Sequence, residues 1–235
     1  MLSSTMLRPA GVRTLLRQSV RCVSTLASNP HIYVFPSSDS SSHILTLLPT
    51  APPNSSLAIG TTTNIPPTPH SLTENPRFLS ILNSVLAAHA HEDPGLLAQA
   101  AAFASSSGSA LGSGGMFFPG QNNTLHRKGR GGQSSKAGDG AGGASSQGGA
   151  GGGGRGGWVH VSDERAPPDY GRIAWPEDIF GSIEVDGQGN IVGDKGNWQS
   201  SGTYRVITRE GILGLSDFLR GKLVQRLSEE EAKER

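Results

Sequence analysis

A long stretch rich in glycine and serine, in the middle of the chain, limits how the 235 residues can fold. Of the 33 glycines in the sequence, twenty lie between Gly108 and Gly157. Such a segment cannot bury enough apolar surface to offset the entropy that it would lose on ordering. We therefore expect residues 104–157 to be a disordered linker between two folded segments, residues 29–103 and residues 158–235.

The first 28 residues contain arginine but no acidic residue, which is the composition of a mitochondrial import signal. Three of the four arginines, Arg13, Arg17 and Arg21, recur every four residues and would share one face of a helix. The run Arg21-Cys22-Val23-Ser24 resembles the pattern that places an arginine shortly before a matrix-processing cut. An ordinary amphipathic surface helix is the alternative. We predict a presequence over residues 1–28 and residence in the mitochondrial matrix, with peripheral attachment to the inner membrane left open.

Charge and cysteine content narrow the chemistry of the remaining residues. The whole chain has a formal charge of +1, and the presequence contributes four arginines to it, so the remainder is mildly acidic. A protein of that sign has no overall field that attracts nucleic acid. The single cysteine is Cys22, so the remainder has no disulfide and no thiolate ligand for a metal. No stretch of the sequence approaches the roughly 18 apolar residues of a transmembrane segment.

Hydrophobic patterning predicts an α+β fold for the two segments. The final block contains all three tryptophans, and its small core suggests a unit that is autonomous or stabilised by a partner. A hairpin is expected around Asp186–Gly189, and Thr73 is expected to cap the first helix. The fold would be a strand-plus-helix N-terminal segment and a C-terminal β-hairpin/helix module. The expected strands are residues 31–35, 43–48, 56–59, 158–161, 181–185, 190–192 and 203–208, and the expected helices begin near Thr73, Leu96 and Ser216.

The sequence contains no motif typical of catalysis or of cofactor binding, and we predict no cofactor. His89 and His91 would point to different sides of a helix end, which does not suit joint metal binding. His160, Ser162 and Asp163 are neighbours in sequence, whereas a catalytic triad converges from separate elements.

Aromatic and charged residues are concentrated between Trp158 and Glu177. Aromatic side chains among charges are typical of a protein-recognition surface, in which the aromatics act as anchors. A proline-stiffened loop with solvated charges is the alternative. The candidate partner-binding residues are Trp158, Asp163, Arg165, Asp169, Tyr170, Arg172, Trp175 and Glu177.

Two Arg-Gly-Gly motifs in the linker suggest a different activity. Flexible arginine–glycine segments bind RNA through phosphate contacts and stacking. A plain flexible linker is the alternative, because two motifs and five basic residues across residues 104–157 are sparse for RNA binding. The candidate RNA-binding residues are Arg127, Lys128, Arg130 and Arg155.

Several runs of the C-terminal block resemble a block found in fungal mitochondrial proteins without an assigned activity. They are Gly157–Asp163, Pro167–Ile173, Pro176–Ser182 and Gly202–Val206. The resemblance covers about a third of the chain and implies mitochondrial residence, but it supplies no catalytic residue.

We expect a non-enzymatic accessory or assembly factor of the matrix that contacts a larger mitochondrial protein complex. The contacts would come from residues 158–177 and from the helix at residues 215–227. One alternative is a mitoribosome-associated or RNA-binding protein that uses the linker. The other is a hydrolase or lyase that uses Asp163, Asp169, Glu177 or His160.

Overall fold

The protein contains two antiparallel sheets and three α-helices within the residues that the structure describes, which confirms the expected α+β class. The structure is a computed structural model, and it describes residues 24–37, 41–104, 156–168 and 172–234. The strands are β1 (Ser24–Thr25), β2 (Tyr33–Pro36), β3 (His43–Thr46), β4 (Gly60–Thr62), β5 (Leu72–Glu74), β6 (Gly157–Ser162), β7 (Ile179–Val185) and β8 (Gln199–Ser200). The helices are α1 (Pro76–His89), α2 (Pro94–Ala104) and α3 (Asp217–Glu234), with 3₁₀ turns at Ala90–Glu92 and Pro176–Asp178.

The first five strands form a meander in sequence order. The β2–β3 ladder, with Val34 opposite Leu45, overlaps the two strands expected there and extends one residue further, to Pro36. The third expected strand, residues 56–59, does not form: the Leu57 N–H donates to the Asn54 carbonyl in a turn, and β4 begins only at Gly60.

Asn75, and not Thr73, caps α1. The Asn75 Oδ1 accepts a hydrogen bond from the Arg77 backbone N–H at 3.0 Å, while its Nδ2 donates to the carbonyl of Ala58 at 2.8 Å. Both residue types suit a helix N-cap, but Thr73 is paired with Thr61 in the sheet. The pairing of β5 therefore moves the cap two residues along the chain.

The second sheet has the order β6–β7–β8. Residues 203–208 do not form the expected strand, and only Ile207 makes an isolated bridge, to Ile212. The Arg165 side chain donates hydrogen bonds to the carbonyls of Arg205 and Val206, and the only backbone N–H donor that the structure shows there is that of Leu213, to Val206 at 2.8 Å. A side chain therefore takes the place of a neighbouring strand along part of this segment. The expected strand at residues 190–192 is likewise reduced to one bridge, between Val185 and Ile191.

The two segments share one hydrophobic core. Helix α1 packs against α3, and Phe78 of α1 and Leu223 of α3 are both fully buried in the same cluster. The Trp198 indole Nε1 donates to Asn83 Oδ1 at 3.1 Å across the junction. The C-terminal block therefore completes its core with the N-terminal segment. None of the helices in the described ranges is both long enough and apolar enough to cross a membrane.

The two chain ends that flank residues 105–155 lie close together. A Cβ atom built on Gly157 would come within 2.7 Å of the Phe103 ring, which places the end of α2 against the start of β6. The expected linker itself lies outside the described residues, except for its ends at Ala104, Gly156 and Gly157.

Replacing residues 105–155 with eight glycine and serine residues should preserve the fold. Closing a loop of about fifty residues costs more entropy than closing a short one, so the free energy of unfolding should rise by about 1.5 kcal/mol. Urea denaturation of the shortened and full-length chains measures this difference. A shortened chain that is less stable would show that residues 105–155 contribute to the fold.

Candidate partner-binding surface

Trp175 is the most exposed large hydrophobic residue among those described, with 73% of its surface accessible. Ile173, two residues earlier, is 41% exposed. A tryptophan carries the largest apolar side chain and is enriched in the centres of protein interfaces. An apolar anchor is therefore presented to solvent at this position.

A shallow depression begins at Trp175 and extends to the segment that leads out of β8. We call its lining the Trp175 surface: Trp175, Pro176, Glu177, Gly202, Thr203, Tyr204 and Arg205. The Thr203 hydroxyl donates to the Pro176 carbonyl at 2.8 Å, and the Arg205 N–H donates to the Glu177 carbonyl at 3.1 Å. These two bonds hold the two walls of the depression together.

The Arg165 side chain lies beneath this surface and is 97% buried, with 3% of its area accessible. Its Nε donates to Asp178 Oδ1 at 2.7 Å. Its Nη2 donates to the carbonyls of Glu177, at 3.0 Å, and of Arg205, at 2.8 Å. Its Nη1 donates to the Val206 carbonyl at 2.8 Å. One guanidinium group thus fixes the backbone on both sides of the Trp175 surface.

Asp163 is fully buried beside Arg165 and also accepts hydrogen bonds with both carboxylate oxygens. Its Oδ1 accepts the backbone N–H groups of Arg165, at 2.9 Å, and of Gly214, at 2.8 Å. Its Oδ2 accepts the Tyr204 hydroxyl at 2.9 Å. The Tyr204 ring also contacts the Phe180 ring, with 4.4 Å between the two centroids. A hydrogen bond at the hydroxyl and an aromatic contact at the ring therefore hold this side chain in place.

These four residues, Asp163, Arg165, Asp178 and Tyr204, form what we call the Arg165 cluster. Burial raises the pKa of Asp163, and the neighbouring Arg165 charge opposes that rise. Burial also raises the pKa of Tyr204 well above its usual value of about 10, and the Asp163 charge acts in the same direction. Asp163 is fully buried, and its hydrogen bonds hold the backbone of Arg165 and Gly214 and the Tyr204 hydroxyl in place.

The stability of the fold should fall in alkaline solution because of Tyr204. The folded chain keeps the Tyr204 proton at a pH where the unfolded chain has lost it, so this stabilising contribution is complete below about pH 10 and is lost above it. The urea midpoint of the wild type should therefore fall as the pH rises above about 10. The Tyr204→Phe variant should show a smaller fall; an equal fall would contradict the assignment.

The structure separates the residues that the sequence grouped into one recognition surface. Asp163 and Arg165 are buried, so neither side chain is presented on the exposed surface. Trp158 lies opposite Glu184 at the far end of β6, roughly 13 Å along the strand from Ser162. Arg172, Trp175 and Glu177 are exposed, as a contact surface requires.

Other candidate residues lie outside the described ranges: Asp169, Tyr170, Arg127, Lys128, Arg130 and Arg155. The sequence-based reasoning missed Asp178 and Tyr204. Asp178 lies in the 3₁₀ turn Pro176–Asp178, and Tyr204 lies in the segment where a strand was expected. The single local signal was the Pro176-Glu177-Asp178 turn beside an exposed tryptophan.

Two further groups of polar side chains, at His160 and at Glu164, lie outside the lining of the Trp175 surface. The His160 Nδ1 lies 2.8 Å from the Ser182 Oγ on the adjacent strand, but neither residue lines the Trp175 surface.

A cleft of about 260 Å³ lies between the loops at residues 28–31 and 210–215, where Glu164 faces it. Burial, together with the charges of Asp93 and Asp217, raises the pKa of Glu164. Among the residues that the structure describes, no three His, Cys, Asp or Glu side chains come together as metal ligands.

Comparison with known proteins gives no relative for this chain. No protein-family model matches it, and neither a curated protein nor a solved structure is detectably similar.

Proposed function

We propose that this protein is a non-enzymatic accessory or assembly factor of the mitochondrial matrix that binds a larger protein complex through the Trp175 surface. One observation carries the proposal: an exposed tryptophan stands on a backbone that a buried guanidinium group fixes. An anchor that is ordered before binding loses little entropy when the partner binds.

The sequence supports the location. The first 23 residues contain all four arginines of the expected presequence and no acidic residue, as mitochondrial import requires. The resemblance of the C-terminal block to fungal mitochondrial proteins points to the same compartment.

The Trp175→Ala variant should bind its partner at least tenfold more weakly and keep the wild-type melting temperature. Removal of a central tryptophan anchor commonly costs 2 kcal/mol or more of binding free energy. The partner is first recovered from mitochondrial lysate with the tagged protein and identified by mass spectrometry. Its dissociation constant is then measured for the wild type and the variant.

The chain offers two matched controls, since Ile65 is 47% exposed and Leu97 is 43% exposed, away from the Trp175 surface. Ile65→Ala and Leu97→Ala should leave the affinity unchanged. Wild-type affinity of Trp175→Ala would disprove the role of this surface. A complex that is lost after ribonuclease treatment, and lost again when residues 105–155 are replaced, would instead favour the RNA-binding alternative.

A further inference from the structure

The first strand that the structure describes, β1, begins at Ser24, four residues before the expected end of the presequence. Ser24 lies opposite Val34 and Thr25 opposite Tyr33, so β1 is the edge strand of the first sheet. Any peptidase that removed residues 1–28 would remove this strand.

Leu26 ties the same segment to the core. Its side chain is 3% exposed and belongs to the cluster that both segments share. Its N–H donates to the Ile32 carbonyl at 3.0 Å, and its carbonyl accepts the Asn29 N–H at 3.2 Å. The Leu26 side chain and backbone are therefore both engaged in the fold.

Asn29 extends this connection to the C-terminal segment. Its Nδ2 donates to the Leu213 carbonyl at 2.8 Å, one residue from Gly214, whose N–H donates to Asp163. Cleavage of a peptide bond between Ser24 and Asn29 would detach part of the segment that makes these contacts from the rest of the protein. A cut that preserves the fold must fall before Ser24.

The residues before Ser24 limit which peptide bond a processing peptidase would cleave. Arg21 is the last basic residue before Ser24, and no lysine or arginine follows it until Arg77. An arginine shortly before the cut is the feature that the presequence pattern requires. Arg21 alone satisfies this requirement next to the first strand.

We infer that the presequence is removed by hydrolysis of the Cys22–Val23 or the Val23–Ser24 peptide bond. This inference rests on the proposed mitochondrial function. A matrix peptidase adds water across the bond, which leaves a carboxylate on the released peptide and a new amino group directly before β1. Either cut removes Cys22, so the mature chain has no thiol and a formal charge of −3.

The test uses the full chain with a C-terminal tag, expressed in cells and recovered from their mitochondria. Mass spectrometry should find the N-terminus at Val23 or Ser24, and the recovered protein should not react with maleimide. Arg21→Ala should move or abolish the cut, whereas Arg13→Ala should leave it in place. An N-terminus after Leu26, a retained Cys22 or an uncut chain would overturn the inference.

The proposed function and the proposed cleavage position are contradicted by different results. A protein that stays outside mitochondria contradicts the proposed function together with the inference. A protein that is imported and protected from added protease, but cut elsewhere, contradicts the inference alone.

A second measurement needs no mitochondria. A chain that begins at Ser24 should melt within about 2 °C of the full-length protein, while a chain that begins at Asn29 should melt roughly 5 to 10 °C lower. Equal melting temperatures for the two shortened chains would remove the structural reason for a boundary at Ser24.

Discussion

Replacing Arg165 with leucine should lower the free energy of unfolding by about 3 to 5 kcal/mol. The variant leaves the buried carboxylates of Asp163 and Asp178 without their cation, and four hydrogen bonds of the guanidinium group are lost. A buried charge that has lost its partner is costly because protein surrounds it instead of water. Urea denaturation measures the effect.

Two further variants sharpen this result. Arg209→Leu removes an exposed arginine of the same segment and should change stability by less than about 0.5 kcal/mol. Arg165→Lys keeps the charge but cannot form a planar fork to four acceptors, so it should recover only part of the lost stability. Wild-type stability of Arg165→Leu would show that the cluster does not hold the Trp175 surface.

Separated fragments of residues 24–104 and 156–235 should each fail to fold, and should fold together when they are mixed. The reason is the shared core, since Phe78 of one fragment and Leu223 of the other are buried against the same cluster. Alone, each fragment would expose its apolar core residues to water. The free energy lost in this way exceeds the free energy gained from the contacts within that fragment. Circular dichroism of each fragment and of the mixture tests this.

The same mixture supplies its own control. Introducing Leu223→Ala into the second fragment removes a fully buried side chain and should weaken association at least tenfold, because such truncations cost about 2 to 5 kcal/mol. A cooperative thermal transition of residues 156–235 alone would instead support the autonomous module that the sequence suggested.

Helices α1 and α3 were predicted well because their signal is local. Apolar residues at helical spacing define the buried face of each, from Phe78 to Leu86 and from Leu219 to Leu227. The cap of α1 was misplaced for the opposite reason. The Asn75 side chain donates hydrogen bonds to the carbonyls of Ser56 and Ala58, which lie about twenty residues earlier. No local sequence pattern indicates these hydrogen bonds.

The candidate site could be predicted only in part. Trp175 was recognised because an aromatic among prolines and charges is visible in the sequence. The burial of Arg165 was not, because its partners Asp178 and Val206 lie 13 and 41 residues away. Charged residues in a polar segment look solvated until the tertiary fold places acceptors around them.

The different environments of the tryptophans give the protein an intrinsic optical reporter. Trp198 is half-buried and donates a hydrogen bond to Asn83, whereas Trp175 projects into solvent. Their emission should therefore differ in wavelength and in quenching by iodide. A partner that covers Trp175 would shift that component toward the blue and shield it, so occupancy of this surface can be followed without attaching a dye.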